Sequence, residues 1–338
     1  MAAEPFAMNR RKFSLGALLA LTGACNPGTE IRARAVDGLW TVYRDRFVDP
    51  SGRVIDTGNG NISHSEGQSY GMILALHAGD REAFTRIAEW TQATLLRDDM
   101  ALHSWRYDPR QPNAVSDPNN ATDGDIVIAW ALALAAQRWQ RTDWAERAAA
   151  IRAAIRAHCV LDRFGRKLLL PGIEGFAAAG QVVLNPSYFV WPALDHFAKL
   201  DGKAVWGPVI ADCEALAGLA RFGPHRLPTD WIKVTGTSQI APADDRPPRF
   251  GYDAIRVALY GTIGLRSAIT APIAAWWRGR LGAGKAIPAW IDVTTGQEAD
   301  YAVSEGGAAI VARLLGAPPP PRLSSDYFAA SLQMLARL

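Results

Sequence analysis

The pattern of apolar residues along the chain is helical over most of its length. Apolar side chains recur at intervals of three and four residues in eleven segments that polar turns separate. Their regular spacing favours helical hairpins arranged in a ring, and six hairpins would make an (α/α)6 barrel with one helix short or unrecognised. The predicted helices lie near residues 31–46, 64–79, 81–97, 122–140, 142–159, 187–200, 204–221, 252–267, 271–282, 301–316 and 324–337.

Four non-helical stretches complete this all-α prediction. Residues 46–63 and 100–121 are rich in Gly, Asn, Pro and Asp and are long for connections between helices, which is typical of functional loops. Short extended runs within 166–184 and near 230–240 predict a small β-sheet at one end of the barrel. Only one helix follows the stiff run Pro318–Pro321, so we predict a single domain over residues 26–338.

Two of the predicted helices begin with acidic residues directly after these loops. Asp123 and Asp125 stand in Ala-Thr-Asp-Gly-Asp at 121–125, and Glu66 follows His64 at the start of another helix. A carboxylate at a helix N-terminus faces free backbone N–H groups and the positive end of the helix dipole, so ordinary capping is one interpretation. We expect Asp125 to be a capping residue that fixes the loop, and His64 to bond within its own motif without a catalytic role.

Composition excludes several functional classes. The chain is 49% hydrophobic, which excludes disorder, and its net charge of +3 comes without the Lys/Arg run typical of nucleic-acid binding. The six His residues are not spaced along the chain as metal ligands usually are, so we predict neither a metal site nor a cofactor. Cys159 and Cys213 form either a disulfide or two buried free thiols. Twelve Trp residues fit a sugar-binding cleft, because a flat aromatic face covers the C–H face of a pyranose.

The first 25 residues have the features of an export signal. Arg10 and Arg11 precede a short apolar run at 13–21, which is typical of a twin-arginine signal and too short to span a bilayer. Residues 21–25 loosely resemble a lipoprotein cleavage site that ends at Cys25. We therefore expect a periplasmic or secreted protein, with a lipid anchor at Cys25 as the alternative to simple cleavage.

Four motifs in one order resemble glycoside hydrolase family 8. They are Ser-Glu-Gly-Gln-Ser-Tyr-Gly-Met around Glu66, Ala-Thr-Asp-Gly-Asp at 121–125, Asn-Pro-Ser-Tyr-Phe at 185–189 and Phe-Gly-Tyr-Asp-Ala-Ile-Arg at 250–256. The similarity runs from about Asp37 to the C-terminus and is greatest to the periplasmic endoglucanases associated with bacterial cellulose synthases. It implies an (α/α)6 barrel and an inverting endo-β-1,4-glucanase that acts on cellulose or cello-oligosaccharides and needs no cofactor.

Hydrolysis of a glycosidic bond by such an enzyme requires two carboxyl groups with different roles. Glu66 is the predicted general acid, because its apolar neighbours can raise its pKa. The resemblance implies that Asp253 is the base, that Tyr188 helps to hold the attacking water, and that Asp123 binds the distorted sugar, with Asp123 as the alternative base. Arg256 stands one turn after Asp253, where it can keep this residue ionised, and we include it among the substrate-binding residues.

Aromatic residues outside the predicted helices are the candidates for binding sugar rings. Trp105 and Tyr107 lie in the polar loop before Asp123, and Tyr252 precedes the proposed base. We assign these three to the substrate, whereas Trp130 and Trp139 lie within a helix and are assigned to the core.

Two other functions remain open at this point. Xylan, chitosan or mixed-linkage glucan are alternative substrates, because members of the same family act on them. The second alternative is that the chain is a catalytically weak glycan-binding subunit of a cellulose-export complex. In either case a cellulose synthase complex is a candidate partner. Three acids at helix starts favour the enzyme, because a binding module has little use for them.

Overall fold

A computed structural model of the chain describes residues 38–338, and its helices follow the predicted pattern. Each predicted helix has a counterpart, although several begin or end a few residues away from the expected position. The described residues form α1 (38–47), α2 (Ser65–Ala78), α3 (Arg81–Leu95), α4 (Thr122–Trp139), α5 (Thr142–Ala154), α6 (Trp191–Asp201), α7 (Lys203–Leu219), α8 (Ile255–Ile263), α9 (Ser267–Gly282), α10 (Glu305–Leu315) and α11 (Tyr327–Leu335).

Six of these helices form an inner ring and the others cover it. Helices α2, α4, α6, α8, α10 and α11 pack each against the next, and α11 closes the ring on α2. Outside them, α3 packs on α2, α5 on α4, α7 on α6 and α9 on α8. Helix α1 lies against α11, where the Tyr43 and Ser331 hydroxyls are 2.9 Å apart. This arrangement is the predicted (α/α)6 barrel.

Burial explains why some helices are inner and others outer. Helix α2 buries eleven of its 14 residues and α4 thirteen of its 18, as expected of helices enclosed on all sides. Helix α3 buries only six of its 15 residues, along one face. A twelfth helix is missing between α10 and α11, where the run Pro318–Pro321 lacks the N–H groups that a helix requires.

Small antiparallel sheets accompany the helices of the barrel, as predicted, with one difference in how the strands pair. The extended runs near 181–184 and 230–240 join in one four-stranded sheet, but the run at 166–169 pairs with residues 160–163 in a separate hairpin. The strands are β1 (Ser63–His64), β2 (Arg106–Tyr107), β3 (Val160–Arg163), β4 (Arg166–Leu169), β5 (Ala177–Ala178), β6 (Gln181–Leu184), β7 (Ile232–Val234), β8 (Ile240–Pro242), β9 (Arg249–Phe250) and β10 (Ile291–Asp292).

Several remaining predictions concern cysteines and the N-terminus. Cys159 and Cys213 are both buried and free, which selects the thiols over the disulfide. Burial raises the pKa of the Cys159 thiol to about 11, so this group stays protonated. The predicted export signal and Cys25 lie outside the described residues. Between residues 38 and 338, no helix is both long and apolar enough to cross a membrane.

Candidate active site

The starts of α2 and α4 bring two of the predicted acids together. Glu66 and Asp123 are each the second residue of their helix. The helices approach closely because Gly124 has no side chain: a Cβ there would lie 2.9 Å from the backbone N of Glu66. His64 caps α2 by accepting a hydrogen bond from the Gly67 N–H at 2.9 Å. This is the predicted bond of His64 within its own motif.

Arg256 joins these two acids to the third. Its side chain is only 2% exposed, and Nη1 donates to Glu66, to Asp123 Oδ2 at 3.1 Å and to the Tyr70 hydroxyl at 2.9 Å. Nη2 donates to Asp253 Oδ1 at 2.6 Å. One guanidinium therefore fixes the positions of all three carboxyl groups. We call Glu66, Asp123, Asp253 and Arg256 the carboxylate cluster.

Glu66 and Asp123 differ in their affinity for a proton. Burial and the neighbouring charge of Glu66 raise the pKa of Asp123 well above its usual range. Burial also acts to raise the pKa of Glu66, but the charges of Arg256 and His64 outweigh it and lower this pKa. Of the two, Asp123 therefore binds a proton more readily than Glu66. The expected rise in the Glu66 pKa is not observed, because a buried cation lies within hydrogen-bonding distance of this residue.

Asp253 lies in a turn before α8, where its side chain is 30% exposed. The predicted helix 252–267 begins only at Ile255, because the N–H groups of Arg256 and Val257 bond to carbonyls three residues back and close a tighter turn. Asp230 binds the backbone of this turn. Asp230 Oδ1 accepts hydrogen bonds from the N–H groups of Gly251 at 3.1 Å, Asp253 at 3.1 Å and Ala254 at 2.7 Å. Burial and the nearby charge of Asp253 raise the pKa of Asp230 to about 7. The sequence analysis did not identify Asp230, which lies more than 20 residues before the turn.

Tyrosines enclose the carboxylate cluster. Tyr188 ends the short 3-10 helix Pro186–Tyr188, and the Cζ atom of Arg256 is 5.7 Å from the centre of its ring. Burial and the charges of Asp123 and Asp253 raise the pKa of the Tyr188 phenol, so it stays protonated. Tyr70 was not predicted, although it follows Glu66 by four residues and so lies on the same face of α2.

The predicted binding aromatics occupy different surroundings. The Trp105 carbonyl accepts a hydrogen bond from the Ser65 N–H at 3.0 Å, so this loop lies beside the start of α2. The Trp105 indole donates to Asp117 at 2.6 Å. Tyr107 packs edge-on against Trp90, with ring centres 5.3 Å apart, and is half-buried. Its ring therefore contributes to the packing of the loop on α3.

Tyr252 is the most accessible of these aromatic residues. It is 53% exposed, and its hydroxyl lies 2.5 Å from that of Tyr301, which is 52% exposed. The pair forms an exposed aromatic surface next to Asp253. Trp130 and Trp139 are partly buried and pack against the core, consistent with the role assigned to them.

Asp125 fixes the loop before α4 but does not cap the helix. It is fully buried and accepts hydrogen bonds from the His103 N–H at 3.0 Å and from Asn120 at 2.9 Å. Ala121 occupies the N-cap position of α4 and provides no side-chain bond. The capping prediction is therefore wrong, because residues of the loop compete for the Asp125 carboxylate. Within residues 38–338, no group of three or more His, Cys, Asp and Glu side chains could hold a metal ion.

Comparison with known proteins identifies the family. The sequence profile of "Glycosyl hydrolases family 8" matches residues 9–338. The chain belongs to glycoside hydrolase family 8. The endoglucanase of Cellulomonas uda is 40% identical over 282 residues, 82% of this chain and 77% of that protein. The probable endoglucanase of Novacetimonas hansenii is 38% identical over 326 residues, 94% of each.

Solved structures of endoglucanases share the fold. The family 8 endoglucanase of Klebsiella pneumoniae superposes with a TM-score of 0.85 at 39% identity, covering 88% of this chain and 97% of that one. The endo-β-1,4-glucanase of Acetobacter xylinum gives 0.84 at 38% identity, covering 90% and 97%. The chain is thus a glycoside hydrolase with the barrel of its family, as the four sequence motifs predicted.

Proposed function

We propose that this glycoside hydrolase is an endo-β-1,4-glucanase that cleaves cellulose-like chains with inversion of configuration. The observation that carries the proposal is the carboxylate cluster, in which Arg256 bonds the partly buried Glu66, the buried Asp123 and the more exposed Asp253. Two carboxyl groups with separate environments are what acid and base roles require. The relatives at 38–40% identity are endoglucanases, which supports the choice of glucan.

The proposed reaction starts from the proton that Glu66 and Asp123 share. Sugar hydroxyls that donate to Asp123 favour its ionised form, so substrate binding moves the proton to Glu66. Glu66 then protonates the glycosidic oxygen as the C1–O bond breaks. Water, held by the Tyr188 hydroxyl, attacks C1 from the opposite face and gives its proton to Asp253.

Charge at the site disfavours one alternative substrate. Arg246 stacks 4.1 Å from the ring centre of Trp231, whose ring centre is 6.1 Å from that of Tyr188. Arg249 lies 3.6 Å from the ring centre of Trp290, and it precedes Asp253 by four residues. Away from the carboxylate cluster, Arg249 and Arg246 repel the protonated glucosamine units of chitosan, with the charge of Arg246 partly offset by Asp245 at 3.8 Å. Neutral glucan, xylan and mixed-linkage glucan are unaffected.

Hydrolysis of defined substrates tests the proposal against these alternatives. We expect the purified protein to release reducing ends from carboxymethyl-cellulose and to cut cellohexaose internally, with slower hydrolysis of xylan and mixed-linkage glucan. Faster cleavage of xylan or mixed-linkage glucan would transfer the assignment to that substrate. Binding of cellohexaose without any hydrolysis would identify a glycan-binding subunit instead.

We also propose that the enzyme is exported and works in the periplasm or outside the cell, near a cellulose synthase complex. The paired Arg10 and Arg11 before an apolar run support export, and Cys25 offers a lipid-anchored form as the alternative to cleavage. Replacing both arginines by Lys should retain the precursor in the cytoplasm. Unchanged export would favour the general secretory route, and palmitate labelling of the wild type and of Cys25→Ser decides on the anchor.

A further inference from the structure

Asp230 makes an unusual contact with the segment that carries Asp253. The first N–H groups of a helix have no partner within the helix and commonly bond to a side chain at the N-cap. Ala254 occupies that position in α8 and offers no side-chain acceptor. Asp230 provides the acceptor from a separate loop, and a single oxygen receives the N–H groups of residues 251, 253 and 254.

The two residues that hold Asp253 act on different parts of it. Arg256 bonds to its carboxylate, and Asp230 bonds to its backbone N–H. Gly251 permits the close approach, because a Cβ there would lie 2.8 Å from Asp230 Oδ2. The Asp230 N–H in turn donates to the Arg249 carbonyl at 2.7 Å, so the loop and the turn are bonded in both directions.

Asp230 can hold this contact in either protonation state. Burial and the charge of Asp253 raise its pKa to about 7, so the carboxyl group is mostly neutral below that pH. The carbonyl oxygen of a neutral carboxyl group still accepts hydrogen bonds, and so would an amide oxygen at the same position.

We propose that Asp230 is a positioning residue for the base Asp253: it fixes the peptide segment that carries the base. The proposal rests on the function proposed above. It predicts an effect on the chemical step rather than on substrate binding, because Asp230 bonds to the backbone of the turn that carries the base. A displacement of ~1 Å at such a group can cost ~10²-fold in rate.

Three variants test this role on cellohexaose. Asp230→Ala removes the acceptor, and we expect kcat to fall ~10²-fold with KM within about threefold of the wild type. Asp230→Asn keeps an acceptor but not the charge. Its amide oxygen can accept the same N–H groups, so we expect kcat to stay within about threefold of the wild type. Asp49→Asn is the matched control: Asp49 accepts the N–H groups of Ser51 and Arg53 in the loop after α1, so kcat should not change.

A purely structural role gives different results. A kcat equal to that of the wild type in Asp230→Ala, at a temperature where it is folded, would overturn the proposal. If Asp230→Ala does not fold, Asp230→Ser, whose shorter side chain cannot reach all three N–H groups, replaces it. Amide exchange at residues 251, 253 and 254 gives a readout independent of activity: it should accelerate in Asp230→Ala and stay slow in Asp49→Asn. A wild type inactive on every glucan contradicts the proposed function, whereas unchanged exchange contradicts the positioning.

Discussion

Arg256 is the residue on which the geometry of the carboxylate cluster depends. A buried guanidinium would be strongly destabilising without counter-charges, and here three carboxyl groups surround it. The raised pKa of Asp123 favours its neutral form, which limits the excess of negative charge in the cluster. The same arrangement leaves one exchangeable proton next to Glu66, where general acid catalysis requires it.

Removing the proton-donating group of Glu66 should abolish most activity without unfolding the protein. Glu66→Gln conserves the shape of the side chain but has no transferable proton. General acid catalysis is worth ~10²–10⁴-fold, so hydrolysis of carboxymethyl-cellulose should fall by at least the lower figure. Thermal unfolding should show a Tm close to that of the wild type. A folded variant that retains more than about a tenth of the rate would exclude Glu66 as the acid.

Asp230 should make stability depend on pH in a defined direction. Its pKa is raised to about 7 in the folded protein, against about 3.9 in an unfolded chain, so the folded state binds the proton more tightly. The stability from the protonated form is complete below about pH 4 and is lost as the pH rises through about 7. The Tm of Asp230→Asn relative to the wild type should therefore increase between these values. A difference that is constant with pH would refute this account.

The contact between α2 and α4 is the element-level feature that places Glu66 beside Asp123. Gly124→Ala would add a Cβ 2.4 Å from Ser65 Oγ and 2.9 Å from the Glu66 N, so the two helix starts must separate. We expect a loss of about 1–3 kcal/mol in unfolding free energy and a decrease in kcat. Gly207→Ala in α7 is the control, because nothing lies within 4 Å of its Cβ. Equal effects of both substitutions would show that the contact is unimportant.

Local sequence signals predicted the helices and the acids at their starts, but not the long-range bonds of the site. The apolar period locates α2 and α4, and the three-residue spacing of Asp253 and Arg256 predicts their ion pair. The bonds from Arg256 to Glu66 and Asp123 span 190 and 133 residues, and no local pattern specifies them. The bonds of Asp230 to residues 251, 253 and 254 span more than 20 residues and were missed for the same reason.

At the scale of the whole molecule, the inner ring places the N-termini of several helices at one end of the barrel. The starts of α2, α4 and α8 carry or adjoin the cluster, and Tyr327 at the start of α11 lies 5.9 Å from the His64 ring. Partial positive charges of these helices therefore add to the potential around Glu66 and Asp253. This end can hold several carboxylates, which explains why the acids are at helix starts rather than in the barrel core.

The stereochemistry of the products tests how the whole site is arranged. An inverting enzyme keeps its two carboxyl groups ~6.5–9.5 Å apart to admit water, whereas a retaining enzyme needs ~5–5.5 Å. Here the Arg256 guanidinium lies between Glu66 and Asp253 and bonds to each through a different nitrogen, which favours the wider spacing. The first product from a β-linked chain should therefore be the α-anomer, visible by proton NMR before mutarotation. An initial β-anomer would require a nucleophile close to Glu66 and would remove the role of base from Asp253.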